Sequence, residues 1–141
     1  MKLIKFLKLK LFLIFITTNV IADNNYFKEG QLLFDKKNYK EAKFKFEQDI
    51  VFNPKSEKSY LFLSKIYKVQ ENKKLEEQNL KTVLLLNPKN EEATYNLSKL
   101  KLKESDYLES KKLIDQLLIF CVNYCIKSKK IKTEIEKSIK K

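Results

Sequence analysis

A repeat of 34 residues constrains the fold of this chain more than any other feature. The tripeptide Asn53-Pro54-Lys55 recurs 34 positions later as Asn87-Pro88-Lys89. Aligned columns hold residues of similar size, as at Gly30, Ser64 and Ser98. Shifting the chain by this step gives three aligned blocks, which are residues 23–56, 57–90 and 91–124. A fixed period of this length is typical of stacked helical repeats.

Each block has the pattern of two amphipathic helices. In the first block, apolar residues three and four apart run from Tyr26 to Phe34, and a second stripe runs from Tyr39 to Ile50. Pro54 follows the second stripe, where it would end the helix. One hairpin cannot bury its apolar face alone, so neighbouring hairpins must stack. The sequence therefore predicts an all-α fold of three stacked antiparallel helical hairpins.

The composition argues against catalysis. All 30 basic residues are Lys, and the chain has no His, the commonest general base and a frequent metal ligand. The single glycine, Gly30, excludes glycine-rich phosphate-binding loops. Serines and paired carboxylates occur without the partners that a catalytic site needs. We therefore expect no enzyme activity, no catalytic residues, no cofactor and no metal site.

Residues 1–22 have the pattern of a signal peptide. Four lysines fall within the first ten residues, and an apolar run from Leu11 leads to Ala22. This run is shorter than the roughly 20 residues that span a bilayer. We expect cleavage after Ala22 and export to the periplasm or the extracellular space. The alternatives are an uncleaved segment that anchors the protein to the membrane, and a buried N-terminal helix.

Residues 125–141 form a predicted Lys-rich capping helix. Ile131, Ile135 and Ile139 recur every four residues and give one narrow apolar edge to a charged helix. Such a helix would cover the exposed end of the last hairpin. Its lysines either form a solvated face or contact an anionic surface or an acidic partner.

Cys121 and Cys125 allow three interpretations. On a continuous helix the two side chains share a face, where they would act as small buried apolar groups. If the helix breaks near Asn123, they could form a disulfide with each other or with another chain, and disulfides persist in oxidising compartments. A metal site is disfavoured because no third or fourth ligand lies nearby.

The three blocks resemble tetratricopeptide repeats (TPRs) across residues 23–124. Block two carries the family pattern at Tyr60, Leu63, Ser64, Tyr67, Leu80, Val83 and Pro88. The departures from the pattern are Glu29, Asp49, Glu76, Thr94, Lys101 and Val122, the last of which stands where Pro would end block three. Glu76 is the least expected, because the family has a small residue at this position, where the two helices of a hairpin approach most closely.

The resemblance implies a groove that binds an extended or helical peptide. In the family, the first helix of each hairpin lines this groove. The expected contact residues are Phe27, Gln31, Phe34, Leu61, Lys65, Lys68, Tyr95, Lys99 and Lys103. The four lysines would favour an acidic or C-terminal segment of another protein, or they are ordinary solvated residues. Family members that clamp a terminal carboxylate have Lys and Asn where this chain has Phe27 and Gln31, so that mode is not expected.

The sequence therefore predicts an exported protein–protein interaction module, an adaptor or an assembly factor. One alternative is a binder of anionic polymers or membrane surfaces that acts through the basic tail. Another is a homodimerisation module, because three repeats leave apolar ends that can stack on a second copy. Nucleic-acid binding is not expected of an exported chain that lacks Arg and any recognition motif.

Overall fold

The structure is a computed structural model that describes residues 25–140. These residues form seven α-helices: α1 Tyr26–Asp35, α2 Tyr39–Phe52, α3 Glu57–Val69, α4 Lys73–Leu86, α5 Glu91–Lys103, α6 Tyr107–Phe120 and α7 Cys125–Ile139. The predicted signal peptide lies outside the described residues. None of the seven helices combines the length and the apolar character needed to cross a bilayer.

Six of the helices form three antiparallel hairpins, α1–α2, α3–α4 and α5–α6, and each hairpin packs on the next. α2 ends at Phe52 and α4 at Leu86, so Pro54 and Pro88 lie in the turns between hairpins. α7 packs against α6 as α5 packs against α4. The predicted fold class, three stacked hairpins followed by a C-terminal helix, is confirmed.

Each hairpin turns through one residue with a left-handed backbone. Lys37, Glu71 and Ser105 have φ angles of 60°, 57° and 62°, and they lie 34 residues apart. Side chains with a Cβ disfavour this conformation by about 1–2 kcal/mol. The chain thus makes tight turns without glycine, at a small energetic cost in each repeat.

We expect Lys37→Gly to raise the free energy of unfolding by about 0.5–1 kcal/mol, because Gly adopts a positive φ without strain. Urea unfolding followed by circular dichroism measures the change. The control is Lys37→Ala, which removes the same charge but keeps the Cβ. A Gly variant no more stable than the Ala variant would contradict this origin of the effect.

Small residues allow the helices of a hairpin to approach closely. A methyl group on Gly30 would lie 2.8 Å from Cε1 of Phe46, a ring that is fully buried. In the third hairpin the Ser98 and Ser110 hydroxyls each donate to the other residue's carbonyl oxygen, at 3.0 and 2.9 Å. The second hairpin has the buried Glu76 at the position of Ser110, and this exception bears on the binding groove.

α7 covers the last hairpin through Ser128, Ile131 and Ile135, which are buried. The prediction that Ile139 extends this apolar edge is wrong, since Ile139 is 48% exposed. The reason is helical geometry. Steps of four residues rotate by about 40° each on a helix of 3.6 residues per turn, so Ile139 points away from the contact that Ile131 makes.

The chain is not helical between α6 and α7. Backbone N–H groups of Val122, Asn123 and Tyr124 donate to the Glu91 carboxylate at 2.8, 2.9 and 2.8 Å, and these bonds fix the break. Cys121 and Cys125 flank the break and are joined by a disulfide, with a Cα–Cα distance of 5.3 Å. The link ties the start of α7 to the end of the last hairpin.

Candidate binding groove

The first helices of the hairpins lie side by side, as the resemblance implied. α1 contacts α3, and α5 contacts α7. Between α3 and α5, Lys65 Nζ lies 2.8 Å from a carboxylate oxygen of Glu92, and Lys68 Nζ lies 3.5 Å from Oδ1 of Asn96. These contacts place residues of successive repeats on one continuous surface.

Aromatic rings form the N-terminal part of this surface. Phe62 on α3 packs edge-on against Phe27 and Phe34, with ring centroids 5.7 and 5.0 Å apart. Lys65 Nζ lies 4.6 Å from the centroid of the Phe62 ring. The sequence reasoning missed Phe62, although it adjoins the predicted Leu61. Leu61 instead belongs to the core between the second and third hairpins, so little of it is available to a partner.

Gln31 and Tyr95 lie at opposite ends of the predicted surface. Gln31 is half-buried on α1, between Phe27 and Phe34 in sequence. The ring of Tyr95 packs against Tyr124, with centroids 5.2 Å apart, and so joins α5 to the start of α7. The side chain of Lys99 lies over the same Tyr95 ring, with its Nζ 5.7 Å from the ring centroid.

Three of the four predicted lysines converge on one cavity. This cavity, here named the lysine cleft, has a volume of about 20 Å³ and is lined by Lys68, Glu76, Asn96, Lys99, Leu100 and Lys103. Two openings neighbour the cleft, and Lys103 lines both of them. One opening of about 320 Å³ lies beside Lys68 and Lys103, and the other, of about 220 Å³, lies between Lys103 and α7.

The electrostatics of the lysine cleft favour an anion. Burial lowers the pKa of Lys68, Glu76 partly offsets this effect, and the charges of Lys99 and Lys103 lower the pKa further. Three ammonium groups therefore repel one another around a single carboxylate. An incoming carboxylate would relieve this repulsion. Lys65 is different, because Glu92 already neutralises its charge.

Three of the charged residues that depart from the repeat pattern form ion pairs or hydrogen bonds in the tertiary structure. Glu29 forms an ion pair with Lys45 on the neighbouring helix, at 2.6 Å. Asp49 accepts hydrogen bonds from two serine hydroxyls near the start of α3. Lys101 forms an ion pair with Glu77 on α4, at 2.7 Å. These charged residues thus replace apolar contacts of the pattern with polar ones.

Glu76 differs from these three residues. Its side chain is only 6% exposed, and no hydrogen bond or ion pair holds its carboxylate within residues 25–140. Burial raises its pKa, and the charges of Lys68 and Lys103 only partly oppose this shift. Desolvating a carboxylate that has no direct partner is costly. The position of Glu76 in the wall of the lysine cleft makes this cleft the candidate binding site.

We expect Glu76→Gln to stabilise the protein at neutral pH. Because the folded-state pKa of Glu76 is raised, its contribution to stability is full below the ordinary carboxyl pKa and is lost as pH rises through the folded value. The advantage of the Gln variant should therefore vanish in acid. Urea unfolding of the variant and the parent from about pH 4, near the ordinary carboxyl pKa, to about pH 8 measures the difference in their free energies of unfolding.

The matched control is Glu77→Gln, at the next position of α4. Hydrogen bonds from Lys101 and Lys81 lower the pKa of Glu77, so this substitution should destabilise the protein at neutral pH. Two variants with effects of opposite sign would separate burial from general loss of charge. A Glu76→Gln variant that is less stable than the parent at neutral pH would contradict the assignment.

The described residues contain no group of three or more His, Cys, Asp and Glu side chains arranged to hold a metal ion. The groove therefore offers ammonium groups, an amide and aromatic rings. These groups suit the binding of an anionic or mixed anionic and apolar segment.

The described helices resemble TPR structures. No protein-family model and no curated protein matches the chain. The first TPR of Spaghetti (RPAP3), bound to the HSP90 peptide SRMEEVD, superposes with a TM-score of 0.75 at 15% identity, over 82% of this chain and 91% of that one. The Sgt2 TPR domain from Aspergillus fumigatus gives 0.70 at 13% identity, with coverage of 84% and 80%.

A third similar structure is the Yersinia enterocolitica type III secretion chaperone SycD in complex with a peptide of the translocator YopD. Its TM-score is 0.69 at 11% identity, and the match covers 87% of this chain and 95% of SycD. Identities this low bear on the fold alone. The repeat period, the paired helices and these superpositions agree, and the described part of the chain therefore has a TPR-like fold.

Proposed function

We propose that this protein is an exported interaction module that binds an acidic peptide segment of another protein in the lysine cleft. The observation that carries the proposal is the convergence of Lys68, Lys99 and Lys103 on one cavity whose only carboxylate is the buried Glu76. The protein would act by binding, as an adaptor or an assembly factor, without catalysing a reaction.

Two of the similar structures support a peptide as the ligand. RPAP3 is described with an HSP90 peptide, SRMEEVD, in which three of seven residues are acidic. SycD is described with a peptide of YopD. The groove surface of this chain carries Lys99 and Lys103, and the aromatic rings of Phe62 and Tyr95 lie further along it. An acidic side chain would bind in the larger opening beside Lys68 and Lys103, at the mouth of the cleft, while neighbouring apolar side chains cover these rings.

Titration calorimetry with the full chain tests the proposal. The probe is an N-acetylated, C-amidated heptapeptide with three Glu residues, and the comparison is its Gln counterpart. We expect the Glu peptide to bind at least about tenfold more tightly, a difference of about 1.4 kcal/mol. Equal affinities would refute charge recognition. A third peptide with a free C-terminus asks whether a terminal carboxylate adds affinity.

Export is the second part of the proposal. The basic start and apolar run of residues 1–22 support it, and so does the Cys121–Cys125 disulfide, since such bonds persist in oxidising compartments. Intact mass of the native protein from each cell fraction provides the test. Loss of residues 1–22 with a retained disulfide supports export, whereas a full-length, reduced protein in the cytoplasm contradicts it.

A further inference from the structure

An exposed apolar row runs along one edge of the repeats. Val51, Leu85 and Ile119 are 74%, 83% and 85% exposed. Each is the second-last residue of its helix, α2, α4 or α6, and the three lie 34 residues apart. Because successive hairpins stack in the same orientation, equivalent positions project from the same edge. The row is therefore a repeated feature of the surface.

Three more exposed apolar side chains extend this row. Phe52 ends α2, Val122 lies between α6 and α7, and Ile126 lies in the first turn of α7. Together these six residues, here named the apolar edge, are Val51, Phe52, Leu85, Ile119, Val122 and Ile126. Exposed apolar residues that recur at the same position of every hairpin differ from singly scattered ones and make this edge a candidate interaction surface.

Exposed lysines flank the apolar edge. Lys55 and Lys89 occupy equivalent turn positions just after α2 and α4, and Lys127 lies in the first turn of α7. The carboxylates at the same edge are half-buried and hydrogen-bonded. Glu57 accepts from the Asn87 and Asn90 side chains, and Glu91 accepts from three backbone N–H groups. Lys55, Lys89 and Lys127 are therefore exposed positive charges beside the apolar side chains, whereas Glu57 and Glu91 are already hydrogen-bonded.

The chain outside the described residues joins the protein at this edge. Residues 1–24 connect to Asn25, which precedes the first residue of α1, Tyr26. The Tyr26 ring stacks on Phe52, with centroids 5.5 Å apart. In a chain that retains residues 1–22, a segment with four lysines and an apolar run over 11–22 is thus attached where the apolar edge begins, whereas after cleavage the edge acts without it.

We propose that the apolar edge docks on the surface of an anionic lipid bilayer. The apolar side chains would insert among the lipid headgroups, and Lys55, Lys89 and Lys127 would contact lipid phosphates. Apolar side chains flanked by lysines are the pattern by which proteins bind the bilayer interface without crossing it. This surface is separate from the lysine cleft, so membrane docking does not depend on peptide binding.

Vesicle cosedimentation of the full chain tests this proposal. The probes are vesicles of phosphatidylglycerol with phosphatidylcholine and vesicles of phosphatidylcholine alone. We expect wild-type protein to prefer the anionic vesicles, and Leu85→Glu/Ile119→Glu to lower the anionic partition coefficient by at least about tenfold, a change of about 1.4 kcal/mol. Circular dichroism melts establish that each variant is folded.

The matched control is Leu32→Glu/Leu108→Glu. These leucines are also exposed, but they lie near the end of α1 and the start of α6, at the opposite edge. The control adds the same charge and should bind vesicles like the wild type. Equal loss in both double variants, or no loss in Leu85→Glu/Ile119→Glu, would overturn the proposal.

Two other occupants of the edge would also overturn it. A second copy of the chain would appear in sedimentation velocity as a dimer that Leu85→Glu/Ile119→Glu dissociates, without vesicle binding. Docking of residues 1–24 on the edge would make the same variant bind vesicles more tightly, because the apolar segment would be released.

Discussion

Replacing Lys99 and Lys103 with Glu is expected to weaken binding of the acidic heptapeptide about thirtyfold, or about 2 kcal/mol. Both residues line the lysine cleft and its opening toward α7. Each reversal removes an attraction and introduces a repulsion in a partly desolvated site, where charges interact more strongly than in water. Calorimetry with the same Glu peptide measures the loss.

The control for this prediction is Lys129→Glu/Lys130→Glu. These lysines are exposed on α7, so the control changes the net charge equally and also tests the basic tail as the binding site. We expect less than a threefold loss of affinity, or under about 0.7 kcal/mol. If the tail variant loses as much as the cleft variant, peptide binding follows overall charge and the groove assignment fails.

We expect Lys65 to contribute less to peptide binding than its position in the repeat predicts. The reason is its ion pair with Glu92, because a neutralised lysine has little attraction left for a peptide. We therefore assign the main role to Lys68, Lys99 and Lys103.

Replacing Phe46 with Ala is expected to lower the free energy of unfolding by about 4 kcal/mol. The Phe46 ring is fully buried, fills the space above Gly30, and lies 5.9 and 5.1 Å from the ring centroids of Phe27 and Phe62. Small domains have total stabilities of about 5–15 kcal/mol, so this variant would lose a large part of its stability. Urea unfolding followed by circular dichroism gives the value.

Phe44→Ala provides the matched control. Phe44 lies two residues away on α2 but is exposed, and we expect its loss to change the stability by less than about 0.5 kcal/mol. A loss below about 1 kcal/mol for Phe46→Ala would mean that the core can collapse around the cavity. That result would contradict the tight packing between the first two hairpins.

The sequence predicted the fold because the fold is repetitive and local. Pro54 and Pro88 end helices by their own stereochemistry, and the apolar periodicity from Tyr26 to Ile50 specifies two helices whatever their neighbours are. The predicted apolar edge of α7 was wrong at Ile139, because a spacing of four residues rotates the side chains gradually around the helix. The sequence reasoning also missed the left-handed turns, since Lys37, Glu71 and Ser105 carry no sequence signal of a positive φ.

The sequence predicted the candidate site only as a set of equivalent positions in the aligned repeats. The repeat identified the face that carries Lys65, Lys68, Lys99 and Lys103, but it could not say which charges meet across repeats. Whether a lysine lies beside a carboxylate depends on the side-chain conformations and the relative rotation of two helices, and the period does not encode these.

By itself, then, the sequence determined the number of hairpins, their ends and the face that could form a groove. Tertiary structure alone decided that Lys65 is neutralised, that Phe62 rather than Leu61 meets the rings of α1, and that Glu76 is buried without a partner. The physical reason is that helices form through contacts within a few residues, whereas burial and ion pairing depend on neighbours from other repeats.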